Sequence, residues 1–216
     1  MSQKSPLFIA ISFFMVVSIA VVMIACGGGS STPKNLTQTQ AQAIASAVSS
    51  GIAQSTAGAF GVSADRASAN LLRIETTPEI TGFPCAPGGI CEAAFNSTFD
   101  CPGGGTMAIA GAFLGTLDDS GDGSVQAQLV ADPRNCSVDN FVLNGDPSVN
   151  VATTVNIKSD QPQSPITGTE TGGVAYGPNP SGSCKFNVTY TINFGNSNFS
   201  CTASGTACGY PVSGNC

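Results

Sequence analysis

The residues of this chain with the most chemistry to offer are nine cysteines and thirteen carboxylates, and there is no histidine to work with them. Ser-His-Asp and Cys-His catalysis both need an imidazole base, so both are excluded. His-ligated zinc and haem fall with them. The cysteines include no C-x-x-C pair and their gaps are irregular, which is a poor pattern for zinc. They read instead as a disulfide framework. Nine is an odd number, however, and an unpaired thiol in an exported protein needs a reason. Setting Cys26 aside leaves an even eight: Cys85, Cys91, Cys101, Cys136, Cys184, Cys201, Cys208 and Cys216.

The carboxylates support two weaker ideas. A glycosidase-type hydrolase needs only two carboxyls, roughly 5 to 9 Å apart, and Asp100, Asp132, Asp139 and Glu170 could supply such a pair. Asp118-x-Ser120-x-Asp122-Gly123 matches the first half of a calcium loop, in which several oxygens surround a turn with Gly at the sixth position. The twelfth position is Leu129, where an EF-hand needs a bidentate Glu. The plain reading, an Asp/Gly-rich turn, therefore outweighs the metal site. Cys101-Pro102-Gly103-Gly104-Gly105 lacks the Lys-Ser/Thr of a phosphate loop. Ser31-x-x-Lys34 has the spacing of a Ser-Lys nucleophile but lies in a linker without supporting motifs. No cofactor is implied.

Composition narrows the classes further. The 216 residues carry a net charge of −6, and only 9% are charged, against about 25% in an ordinary soluble domain. Nothing supplies a positive field for phosphates, so a nucleic-acid partner is not expected. With no Trp and three Tyr, the chain also lacks the aromatic platforms that sugar-cleaving enzymes favour.

The N-terminus says where these residues would work. Lys4 and the free amine precede an uncharged apolar run from Leu7 to Ala25, and then Met23-Ile24-Ala25-Cys26 meets Gly27-Gly28-Gly29-Ser30-Ser31. A charged start, an apolar core and a small residue before a cut is the layout of a secretory signal. With Cys at the junction, it resembles the signal of bacterial lipoproteins. Ala25 and Cys26 match that pattern, whereas Met23 stands where Leu is usual. The resemblance implies that residues 1–25 are removed and that Cys26 is lipidated, usually with three acyl chains. Gly27, rather than Asp, implies the outer membrane by the enterobacterial sorting rule. An uncleaved anchor or a cleaved secreted protein are the alternatives, since an uncharged, mostly apolar run of nineteen residues could just span a bilayer. All three place the domain outside the cytoplasm, where disulfides persist.

The elements that must position the remaining cysteines and carboxylates follow. Residues 26–36 are the lipidated Cys and a flexible Gly/Ser linker, and 37–216 read as one domain. Thr37 and Gln40 have capping-box spacing behind Leu36. Ile44, Val48 and Ile52, beside Ala41 and Ala45, give a narrow apolar stripe on a helix over 37–58. No Lys or Arg lines its polar face, so it is expected to pack on its own domain rather than lie on a membrane. A second short helix is possible near 64–73.

From about residue 93 to 216 the pattern is β. Strands are expected over 106–117, 125–131, 141–143, 149–157, 167–176 and 185–194, with a return strand over 199–207, separated by Gly, Asp, Asn and Pro turns. The fold class is mainly β: an antiparallel sheet, sandwich or open barrel, stapled by disulfides, with one or two short N-terminal helices. A three-residue loop pairing Phe194 with Asn198 puts Cys184 opposite Cys208, predicting that bridge. Cys85 and Cys91 enclose a tight loop, leaving Cys101–Cys136 and Cys201–Cys216.

The expectation is thus an envelope lipoprotein whose β domain has a structural or binding role without catalysis, and whose one expected partner is the membrane. An exported carboxylate-pair hydrolase and a calcium-stabilised adhesion module are the alternatives.

Overall fold

A computed structural model of the chain describes residues 36–60, 79–81, 88–145, 147–179, 181–195 and 198–216. The N-terminal apolar run, Cys26, Cys85 and the second helix expected near 64–73 lie outside these.

Helix α1, Gln38–Ala59, starts where the capping box sets it. The Thr37 hydroxyl accepts from the Gln40 amide, and the Gln40 side chain accepts from the Thr37 amide at 2.8 Å, satisfying two otherwise orphan donors. Among the described residues twelve strands follow: β1 (Glu79–Thr81), β2 (Ile90–Asp100), β3 (Thr106–Leu117), β4 (Gly123–Arg134), β5 (Cys136–Val138), β6 (Phe141–Asn144), β7 (Val149–Lys158), β8 (Gln161–Pro162), β9 (Ile166–Gly177), β10 (Gly182–Gly195), β11 (Asn198–Ala207) and β12 (Tyr210–Asn215). They form one continuous antiparallel sheet in the order β1-β2-β3-β4-β7-β9-β10-β11-β12, with β5, β6 and β8 attached beside it. Of the architectures the pattern allowed, the chain adopts the single open sheet. Nearly every connection on the path joins spatial neighbours, as short hairpins demand.

Period-2 alternation gives the sheet two unlike faces. On β2 every second residue from Cys91 to Phe99 is buried, and on β7 every second residue from Val149 to Ile157. The buried face encloses α1, which touches β2 and β3 near one end of the path, β10, β11 and β12 at the other, and β5 beside it. Fourteen of the 22 helix residues are buried. The expected narrow stripe is therefore replaced by a helix enclosed around most of its girth. The reason is side-chain size: Ala41, Ala45, Ala47, Ala53 and Ala57, with Ser49, Ser50 and Gly51, let the curled sheet approach from several sides. At the helix C-terminus Phe60 meets Phe113 edge-on, with centroids 5.3 Å apart, and Phe113 meets Phe95 in the same way.

Three bridges staple the sheet: Cys101–Cys136, Cys184–Cys208 and Cys201–Cys216. Cys91 is also disulfide-bonded; Cys85, its expected partner, lies outside the described residues. The Cys184–Cys208 bridge forms, but not in the register anticipated. The strands pair Gly195 with Asn198 and Phe194 with Phe199 across a two-residue loop, so Cys208 is one position out of line. It sits one residue beyond β11 with a left-handed φ of 52°, and its amide donates to the Lys185 carbonyl at 2.9 Å. That turn brings Cys208 to the buried side, where Cys184 already points.

Candidate functional site

Polar side chains collect where α1 meets β7, β9 and β10. Period 2 puts Ile166, Gly168 and Glu170 of β9 on the inner face, and Glu170 is fully buried there. The Ser49 hydroxyl of α1 donates to its Oε2 at 2.8 Å, while Oε1 has no partner among the described residues. Burial disfavours a charged carboxylate more than one hydroxyl can restore, so the Glu170 pKa is pushed up to about 8. At neutral pH Glu170 is mostly a neutral acid.

Seven residues, about two turns, further along the helix, the Thr56 hydroxyl lies 3.4 Å from the Tyr190 hydroxyl. Tyr190 is fully buried on β10. Burial raises its pKa to about 12, hydrogen bonding with Thr56 and Thr153 acts in the opposite direction, and Glu170 adds a repulsive contribution. Thr153 of β7 donates to the Thr167 carbonyl at 2.7 Å. Gly168 lies between Thr153 and Tyr190 in the strand register. The cluster fixes the helix to the middle of the sheet by hydrogen bonds in a low-dielectric interior. A fully enclosed carboxyl cannot reach a substrate, so its chemistry is structural.

The three other candidate carboxylates stand apart from it. Asp100 and Asp132 alternate to the outer face, and Asp139 occupies an exposed turn with φ 51°. Asp132 pairs with Arg134 at 3.0 Å. The structure therefore does not bring Glu170 together with these three.

The Asp118–Asp122 segment forms the β3–β4 turn. Asp118 Oδ1 accepts from the Ser120 amide, the Ser120 hydroxyl and the Asp122 amide at 2.9, 2.6 and 3.0 Å. The Ser120 hydroxyl, then the Asp122 amide, hold its carboxyl below the usual range. Asp122 Oδ1 accepts from the Ser159 amide at 2.7 Å, tying this turn to the one after β7. These oxygens serve the turn's own donors, as an Asx turn does, and Ser120 is a donor rather than a ligand here.

The other polar surface of α1 guards a sheet edge. Gln38 donates to the Pro211 carbonyl at 3.3 Å, Gln42 accepts from the Ser213 amide at 3.0 Å, and Ser46 donates to the Asn215 carbonyl at 3.4 Å. Residues four apart share a helix face, and alternate residues of β12 offer their backbone groups on one side. The helix thus supplies the partners that a thirteenth strand would have given. An open edge is a template for unwanted pairing, and here it is covered. Sequence reasoning identified the helix and its docking on the domain but not this seam or the Ser49–Glu170 contact. The sequence reading took Glu170 only as a candidate for a carboxylate pair; the signal for its burial lay in the alternation of Ile166, Gly168 and Glu170 with Thr167, Thr169 and Thr171.

Comparison with protein-family models, with curated proteins and with solved structures yields no match to the chain.

Proposed function

We propose that this chain is an envelope lipoprotein, tethered by lipid on Cys26, whose disulfide-stapled β domain binds or scaffolds without catalysing a reaction. The observation that carries the reading is the cysteine inventory. All seven described cysteines are in disulfides, which belong to an oxidising compartment. Seven needs one more, from Cys26 or Cys85, and so one of these two is left over. The lipoprotein-type signal assigns the remaining thiol to Cys26, directly behind a charged start and an apolar run.

In this reading the membrane holds the domain through acyl chains, each buried CH₂ contributing about 0.8 kcal/mol. The linker of residues 27–35 lets the domain range roughly 15 to 18 Å from the lipid surface. Capped helix α1 then follows with its polar side chains turned to β12 rather than to lipid. Gly27 favours the outer membrane.

The test is incorporation of labelled palmitate in a bacterial host, comparing the chain with Cys26→Ala. Label on the first and none on the second supports the tether. Equal labelling of both, or of neither, contradicts it.

A further inference from the structure

The outer face of the sheet holds a groove of about 350 Å³ over β7, walled by Gln126 and Gln128 of β4 on one side and by Thr167 and Thr169 of β9 on the other. Its floor is low because β7 presents the small Ala152 beside Thr154 on the outer face. The volume is in the range of ligand sites. The amides of Gln126 and Gln128 and the hydroxyls of Thr154 and Thr167 hold no partner among the described residues, and they face solvent. None of the lining residues is charged.

The strand register extends this surface beyond the groove. One row runs Gln128, Ala152, Thr169, Thr189 and Ser204. The next runs Gln126, Thr154, Thr167, Thr191 and Thr202. From β4 to β12 these rows contain no charged residue; Lys158, Lys185 and the Asp132–Arg134 pair stand on the same face away from them. Hydroxyl-bearing side chains therefore repeat at about 4.8 Å between strands and about 6.8 Å along them.

We propose that this groove and the rows continuing from it bind a neutral polysaccharide. Amides and hydroxyls both donate and accept, as do the hydroxyls of a sugar. An anionic ligand would meet no cation here, and a cationic one no carboxylate. A peptide strand would need a free sheet edge, which a sheet face does not offer. The Thr methyls and Ala152 suit the C–H faces of a pyranose. Without an aromatic platform each sugar is held weakly, so retention depends on many sugars engaging the repeated rows at once. The inference deepens the reading of this chain as an exported binding domain, and names the class of ligand.

The test is native affinity electrophoresis of the full detergent-extracted protein in gels containing dextran, hydroxyethyl cellulose, galactomannan or, as an anionic comparator, alginate. At least one neutral polymer should retard it. Thr154→Val with Thr169→Val keeps shape and strand preference but removes two hydroxyls, and should weaken retardation about tenfold. Thr206→Val, outside the groove, should leave it unchanged. No retardation by any neutral polymer, retardation by alginate alone, or equal retardation of all variants would overturn the proposal. Neutral-polymer retardation of a protein whose mass shows no lipid would leave this inference standing while the lipid tether fails.

Discussion

Gly168 stands opposite Tyr190 in the β9–β10 pairing, and a Cβ at position 168 would lie 2.5 Å from the Tyr190 ring. The ring fills the space that the absent side chain leaves, and so reaches Thr56 on the helix. Gly168→Ala should therefore destabilise the domain by about 1 to 3 kcal/mol through overpacking. Thermal melting of the oxidised protein reads this directly. A Tyr190→Phe background should rescue the variant only in part, because two ring carbons at 2.5 and 2.6 Å remain when the hydroxyl, also at 2.5 Å, is removed.

Glu170 makes stability depend on pH with a stated sign. Its pKa is about 8 when folded, against 4.5 as an ordinary carboxyl. The unfolded chain thus releases this proton first. The stability is fully present below pH 4.5 and is lost as pH rises to 8, by about 1.4 kcal/mol per pH unit and on the order of 5 kcal/mol in all. Glu170→Gln should flatten this segment of the profile in denaturant titrations between pH 5 and 9. A wild-type profile already flat there would contradict the burial argument.

The bridges should differ by the length of chain they close. Their sequence separations are 35, 24 and 15 residues for Cys101–Cys136, Cys184–Cys208 and Cys201–Cys216. Loop entropy puts each at about 3 to 4 kcal/mol, in that descending order. Pairwise Cys→Ala variants, compared by chemical denaturation, check both size and order.

Removing the polar seam between α1 and β12 should expose an edge rather than unfold the domain. Gln38→Ala, Gln42→Ala and Ser46→Ala together remove three hydrogen bonds, each contributing about 0.5 to 1.5 kcal/mol. Hydrogen exchange at the Ser213 amide should accelerate, and self-association through the freed edge should appear in sedimentation.

Much of this architecture was legible in the sequence, because the strands alternate cleanly. Val149 to Ile157 and Phe186 to Phe194 announced β7 and β10, and Thr37 with Gln40 fixed the start of α1. The misses have physical causes. β12 carries Pro211 and three small or polar neighbours, so it has little pattern of its own; it depends on β11 and on the side chains of Gln38, Gln42 and Ser46. The hairpin register slipped because Gly195 pairs instead of joining the loop, and the left-handed turn at Cys208 then absorbed the shift. The enclosure of α1 could not be read from its moment, since Ala and Ser face both core and solvent readily. Ser49 and Glu170 are 121 residues apart, a contact that forms only once the helix is seated on the inner face of the assembled sheet.

The central claim is a lipid-tethered domain whose other cysteines are all paired. The intact mass of the membrane-extracted protein, taken unreduced and again after reduction and alkylation, tests it most directly. The account predicts a mass beginning at Cys26 with acyl chains attached, and eight thiols that appear only on reduction. Retention of residues 1–25, or thiols that alkylate without reductant, would contradict it.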